Sequence, residues 1–300
     1  MDVQVFWDNA CNLFYVNYKG HKMYMSRKFK NEKEVAAYYK SVLMEQDEDS
    51  PHKYLTKDFN VENSDVVVDV GVAEGNFSLD IIDRVKKIYL IETDDDWLEA
   101  LKMTFREYED KVQIVKGYVS SVEEGPFVTL DSIISEPVNF IKMDIEGNEW
   151  DALQGAAKLI QKSENIRCAI CSYHSDFDQT LIEAFFDGMD IKHNTSDGYM
   201  WFPWKVRQNY VSTRLNRALV RGEKMKITVI MPSLNVAPYI EKCIQSVVNQ
   251  TLQDIEILCI DAGSTDGTLE ILEQFKREDS RIRIIHSDKK SYGYQVNNGY

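Results

Sequence analysis

A chain of 300 residues with 44% hydrophobic and 11% aromatic content is long enough to build two cores. Its formal net charge of −14 argues against a nucleic-acid partner, because phosphate contacts need a basic face. The five cysteines (Cys11, Cys168, Cys171, Cys243 and Cys259) are scattered and read as reduced thiols. No long apolar run predicts a membrane span and no signal-peptide pattern opens the chain, so a cytoplasmic location is expected, with the inner face of the membrane as its variant.

Residues 1–49 predict a small extension. Leu13–Phe29 reads as a β-hairpin turning at Gly20, Asn31–Met44 as a helix and Glu45–Asp49 as an acidic loop. His52 follows and is expected to be structural, since nothing in the sequence names a partner for it.

Asp65 to Asn76 reads D-V-V-V-D-V-G-V-A-E-G-N. The β-branched run Val66–Val68 predicts a strand buried on both faces of a parallel sheet. Gly71 and Gly75 follow, and then helical spacing over Phe77–Val85. Strand, glycine-rich turn and helix place a ligand at the carboxyl end of the strand, against a helix N-terminus. The spacing is D-x-G-x-x-x-G rather than G-x-G-x-x-G, with Asp69 where the first dinucleotide glycine would stand. An acid there suits a cationic ligand better than a pyrophosphate. The next strand, Lys87–Glu92, ends in a carboxylate 23 positions after Asp69, where nucleoside-binding α/β folds hold the ribose hydroxyls. A ribose and a positive centre together point to S-adenosylmethionine.

Further strands are predicted at Val112–Gly117, Phe140–Asp144 and Ile166–Tyr173, with helices at Trp97–Tyr108, Glu149–Gln161 and Phe177–Phe186. Alternation of this kind predicts α/β with a mainly parallel sheet. Asp190–Asn194 and Tyr199–Phe202, split by Ser196-Asp197-Gly198, read as a closing antiparallel hairpin. Cys168 and Cys171 fall on opposite faces of their strand, which argues against a metal site there. Lys142, Asp144, Glu146 and Glu149 stand at the fourth strand tip and the helix after it. Asp144 or Glu146 is expected to orient or deprotonate an acceptor hydroxyl; Glu146 and Glu149 equally suit a helix N-terminus. His174, after the fifth strand, is the best-placed imidazole for a general base.

Residues 205–225 carry no acid before Glu223 and predict a helical linker, with docking to an anionic glycan or lipid surface as the alternative. A second unit begins at Lys226. I-T-V-I-M-P-S-L-N predicts a strand and turn, Pro238–Gln250 a helix, Ile255–Ile260 a strand before D-A-G-S-T-D-G-T, Leu269–Phe275 a helix and Arg281–His286 a strand. Y-G-Y-Q-V-N-N-G-Y, at 292–300, reads as the start of another helix.

Two resemblances become specific at these motifs. V-V-V-D-V-G-V-A-E-G-N-F, T-L-D-S-I at 129–133 and N-F-I-K-M-D-I-E-G-N-E-W-D-A-L-Q-G-A at 139–156 resemble the FkbM-type methyltransferases over roughly residues 50–204. That implies a Rossmann-like class I fold with a closing antiparallel hairpin, S-adenosylmethionine as cofactor and methylation of hydroxyls on sugars or natural products. By position, Asp69, Gly71, Glu74, Gly75 and Asn76 would border the methionine moiety, Glu92 would hold the ribose and Tyr118 would meet the adenine. P-S-L-N, S-V-V-N-Q-T-L and D-A-G-S-T-D-G-T resemble the start of a family 2 glycosyltransferase of GT-A fold over 226–300. There Pro232, Asn235, Asp261 and Asp266 would line the nucleotide of a sugar-nucleotide donor. The family's metal motif and acceptor base would come later, so a divalent metal is expected only with a full-length domain, and this fragment is expected to be inactive in sugar transfer. The combined expectation is an O-methyltransferase acting on a glycan hydroxyl and fused to a glycosyltransferase. A natural-product or protein acceptor, and an inactive methyltransferase-like scaffold, are the alternatives.

Overall fold

A computed structural model describes residues 3–206, 210–224, 227–252 and 255–287, with backbone alone for 201–206 and 210–214. The helix expected at 292–300 lies outside the described residues. The chain divides into two compact units, Met1–Lys224 and Met225–Tyr300.

The first unit opens with an antiparallel sheet of β1 (Val5–Asp8), β2 (Leu13–Tyr18) and β3 (His21–Tyr24). Lys19 and Gly20, both at positive φ, make the expected hairpin turn. Helix α1 (Glu32–Glu45) starts where Asn31 accepts from the Lys33 and Glu34 amides while Glu34 reaches back to the Lys30 amide.

Then follow β4 (Val66–Val70), α2 (Asn76–Ile81), β5 (Lys87–Glu92), α3 (Asp95–Thr104), β6 (Val112–Lys116), the short β7 (Tyr118–Val119) and β8 (Phe127–Val128), α4 (Leu130–Ile133), β9 (Phe140–Met143), α5 (Glu149–Gln154), α6 (Ala157–Lys162), β10 (Ile166–Cys171), α7 (Asp178–Gly188), β11 (Lys192–Thr195), β12 (Met200–Val206), β13 (Tyr210–Asn216) and β14 (Leu219–Lys224). The helix expected at Glu149–Gln161 is broken at Gly155, where a Cβ would stand 2.0 Å from the Ser120 carbonyl oxygen.

The main sheet has the order β11-β14-β10-β9-β4-β5-β6. β4, β5, β6, β9 and β10 run parallel, as expected. Successive side chains alternate between two cores. Val67, Leu90, Phe140 and Ala169 face the N-terminal elements, α2 and α3, whereas Val68, Ile91, Ile141 and Ile170 face α4–α7. Cys171 and Cys168 fall on these opposite faces, as their spacing requires.

Two expectations need correction. β11 does not pair with β12; it pairs antiparallel with β14, which is inserted between β10 and β11. The stretch 205–225 is therefore no helical linker, since it supplies part of β12, β13 and the sheet strand β14. β14 fits because Gly222 lies under Phe186, where a Cβ would come within 2.8 Å of the ring. β12 and β13 form their own two-stranded sheet.

The second unit holds β15 (Ile227–Ser233), α8 (Ala237–Val248), β16 (Ile255–Asp261), α9 (Thr268–Glu278) and β17 (Ile282–His286), with the strands parallel in that order. Ile244, Ile257, Cys259 and Leu272 centre its core. Among the described residues no helix is long and apolar enough to cross a membrane.

Candidate active site

The carboxyl ends of β4, β5, β9 and β10 open into one cleft of about 760 Å³. Its position follows from topology. The chain leaves β4 toward β5 on one side and returns at β9 on the other, which leaves a crevice at the strand tips. Gly71, Glu92, Tyr118, Asp144, Glu146 and His174 all line it, so six of the expected site residues are brought together from segments up to a hundred residues apart.

Glu92 ties the cleft's loops together. One carboxylate oxygen accepts from the Thr93 and Asp94 amides and the other from the Ala73 amide at 3.0 Å. Gly71 is required where it stands. Its φ is +74°, and a Cβ would sit 1.9 Å from the Asp144 carbonyl oxygen. Tyr118 is half exposed beside Phe127.

Asp144 is the most heavily engaged group. Tyr54 donates to Oδ2 at 2.9 Å and His52 Nε2 stands 3.5 Å from the same atom. His174 Nε2 lies 3.3 Å and the Tyr173 hydroxyl 3.4 Å from Oδ1. Burial pushes the Asp144 pKa up, but the hydrogen bond from His52 and the charges of Lys142 and His174 outweigh it and hold the carboxyl well below its usual range. Glu149 is fully buried. It accepts from the Ile145 and Gly147 amides at 3.0 Å each, and its Oε1 is 2.9 Å from His174 Nδ1. The two carboxylates raise the His174 pKa against the lowering effect of burial. Between them Glu146 takes a left-handed φ of +56° and faces the cleft.

Four expected site residues lie behind the lining. Asp69 is fully buried, 3.0 Å from Lys142 Nζ, and accepts from the Ser78 hydroxyl at 2.7 Å. Lys142 also donates to the Gly71 carbonyl, so the pair braces the loop from below. Glu74 accepts from the Tyr38 hydroxyl, and burial lifts its pKa to about 7. Gly75, at φ +84°, packs on Phe105, and the Asn76 side chain bonds the Phe77 amide.

Sequence reasoning missed Asp94 and Trp97 in the lining, although both lie just beyond the tip of β5 where a crevice lining is due. It also missed Tyr173. Trp97 packs against Tyr38 and Phe29 at ring separations of 5.7 and 6.1 Å, so the N-terminal elements back the cleft wall.

The cleft suits a cationic nucleoside. Four acids (Glu92, Asp94, Asp144 and Glu146) line it, and its volume is in the range of cofactor sites.

In the second unit the four expected donor-site residues meet at the tips of β15 and β16. Asp261 accepts from the Gly263 and Ser264 amides at 3.0 Å, and Asn235, at φ +52°, from the Thr265 amide at 2.8 Å. Asp266 accepts from the Ala237 amide at the start of α8 and from the Thr268 amide. Pro232 pairs with Ile260 in the strand register.

Comparisons with known proteins agree with this division. The family model "Methyltransferase FkbM domain" matches residues 7–194, and "Glycosyl transferase family 2" matches residues 228–300. The chain is 38% identical over 72 residues to glycosyltransferase GlyG of Streptococcus pneumoniae serotype 4, covering 24% of each protein. It is 47% identical over 60 residues to the uncharacterized glycosyltransferase EpsJ of Bacillus subtilis, covering 20% of this chain and 17% of that one. The chain thus spans less than a quarter of the length of these curated relatives. A solved methyltransferase FkbM from Methylobacillus flagellatus aligns with a TM-score of 0.46 at 20% identity, over 66% of this chain and 56% of the other. The chain belongs to the methyltransferase FkbM family and carries a family 2 glycosyltransferase region behind that domain.

Proposed function

We propose that the first unit is an S-adenosylmethionine-dependent O-methyltransferase whose acceptor is a sugar hydroxyl. The observation that carries the reading is the pairing, in one cleft, of Glu92 at the tip of β5 with Asp144 at the tip of β9. Glu92 would hold the ribose hydroxyls, Tyr118 would meet the adenine and the acid-lined floor would favour the sulfonium. Bound S-adenosylmethionine supplies a methyl carbon activated by that sulfonium.

Asp144 would orient the acceptor hydroxyl by accepting its hydrogen bond and would take the proton that the hydroxyl loses on methylation. Asp144 is a weak base, but a hydroxyl oxygen that is acquiring a methyl group becomes a strong acid. Positioning the oxygen near the methyl carbon then contributes most of the rate. Both ring nitrogens of His174 face carboxylates, so in this reading the base role passes to Asp144 and His174 supports it as an imidazolium. Glu146 borders the acceptor side.

The fused glycosyltransferase region motivates the sugar acceptor, because one chain that adds sugars and methylates a hydroxyl fits glycan assembly. In that region Pro232, Asn235, Asp261 and Asp266 would shape a sugar-nucleotide site, with a divalent metal in the full-length domain. Titration calorimetry with S-adenosylmethionine, and NADH as control, tests the cofactor. Saturable binding only of the former is expected, with loss of at least tenfold in affinity for Glu92→Ala. Equal binding by Glu92→Ala removes the assignment. Screening labelled methyl transfer to oligosaccharides against peptides tests the acceptor.

A further inference from the structure

Among the described residues, the cluster behind Asp144 contains groups that neither the cofactor reading nor the sequence accounts for. His52 is 1% exposed, and Gln46 ends α1 six residues earlier. The orientation of the Gln46 amide is set by two backbone contacts. Its Oε1 accepts from the Tyr54 amide at 3.1 Å, and its Nε2 donates to the His52 carbonyl at 3.2 Å. The same Nε2 stands 3.4 Å from His52 Nδ1. An amide nitrogen has only protons to offer, so Nδ1 accepts, and the proton of the neutral ring is assigned to Nε2. That nitrogen faces Asp144 Oδ2 and the Cys171 sulfur, each at 3.5 Å. A protonated Nε2 donates to the carboxylate and accepts nothing from the thiol. The trio of imidazole, carboxylate and thiol otherwise resembles a ligand set for a soft divalent metal, but ligation through Nε2 would put the ring proton on Nδ1, against the Gln46 donor.

We propose that Gln46 and His52 are positioning residues that hold the Asp144 carboxylate in the orientation that receives the acceptor hydroxyl. The proposal rests on the reading of Asp144 given above. Gln46 selects the tautomer, His52 donates through Nε2, and Asp144, a fifth of its side chain still exposed, faces the cleft. Tyr54 completes the grip on Oδ2, while His174 and Tyr173 hold Oδ1. The other titratable groups packed around the relay are Glu45 from α1, Lys142 from β9, Cys171 from β10 and Glu149 from α5, behind His174.

Nuclear magnetic resonance of the 300-residue chain, with 15N-labelled histidine and 13C-labelled aspartate, tests the relay. Asp144→Asn assigns the carboxyl signal. The expected wild-type result is an Nε2–H tautomer at His52. Gln46→Glu, which replaces the donor at Nδ1 by an acceptor, should place a proton on Nδ1. His52→Phe should raise the midpoint of the Asp144 carboxyl titration by at least one pH unit, a tenfold gain in proton affinity, and His52→Gln, which keeps a donor, should restore most of the shift. If His52→Phe does not fold, Gln46→Glu and His52→Gln decide the matter. An Nδ1–H tautomer in the wild type overturns the proposal, as does an Asp144 titration indifferent to His52. Calorimetry with S-adenosylmethionine on the same samples should show unchanged affinity in His52→Gln. Absence of binding even in the wild type would sink the cofactor reading while leaving the tautomer result to be judged on its own.

Discussion

Both units place acids at the tips of parallel strands, and Asp261 of the second and Asp144 of the first are held in opposite ways. In the second unit Asp261, Asp266 and Asn235 direct their oxygens at amides of their own two loops. In the first, the Asp144 carboxylate is met by the side chains of His52, Tyr54, Tyr173 and His174, and it lines the cleft. Asp261, whose lone pairs go to the amides of its own loop, shapes that loop. A carboxylate held by distant side chains, with its charge stabilised and an edge left open, is equipped for chemistry. Asp69 is a third case, buried under the loop with Lys142 as counterion. The same residue type at the same kind of position thus serves three ends, separated by where the donors come from.

The sharpest way to break this comparison is Lys142→Met. It leaves Asp69 buried beside Ser78 alone, and loss of one partner of a buried pair should destabilise the first unit by about 3–5 kcal/mol in denaturant unfolding. A loss under about 1 kcal/mol would mean that Asp69 is not an ionised brace.

Glu74→Gln sharpens the same contrast through pH. The Glu74 pKa is raised from 4.5 to about 7 by burial, so the folded state binds its proton more tightly than the unfolded chain does. Stability from this group is therefore present at low pH and lost as pH rises through about 7, by up to about 3 kcal/mol. The variant should flatten that part of the stability curve between about pH 4.5 and 7, the window bounded by the two pKa values. An unchanged curve would show that Tyr38 keeps Glu74 ionised.

The smallest effect belongs to the second unit. Asp261→Ala removes acceptors for the Gly263 and Ser264 amides and should lower that unit's stability by about 1–2 kcal/mol without changing the unfolding of the first. A larger loss, or one that spreads to the first unit, would contradict a purely local role.

Much of the first unit was legible because its signals are local. A continuous β-branched run such as Val66–Val68 predicts a doubly covered strand wherever it sits, and Gly71 and Gly75 directly after it mark the turn, where both take positive φ. Three of the cleft's four acids, Glu92, Asp144 and Glu146, were legible too, because strand tips of a parallel sheet converge and each of them ends or follows a strand, whereas Asp94 was missed. The sheet's far edge was not legible. Leu219–Lys224 reads as the tail of a basic stretch, and nothing local says that it slots between β10 and β11, since strand pairing is settled by partners roughly 30 to 50 residues away.

His52 makes the same point at the scale of one side chain. The sequence shows an isolated imidazole, whereas the fold brings Gln46, Cys171 and Asp144 to its two nitrogens. The backbone conformation of β4, β5, β9 and β10 follows from near neighbours and was legible in the sequence, whereas the strands over 210–224 were not. Protonation, tautomer and the division of acids between bracing and chemistry depend on which distant groups face one another. Electrostatic and hydrogen-bond energies fall steeply with separation in space, whatever the separation along the chain, so only the tertiary structure decided them.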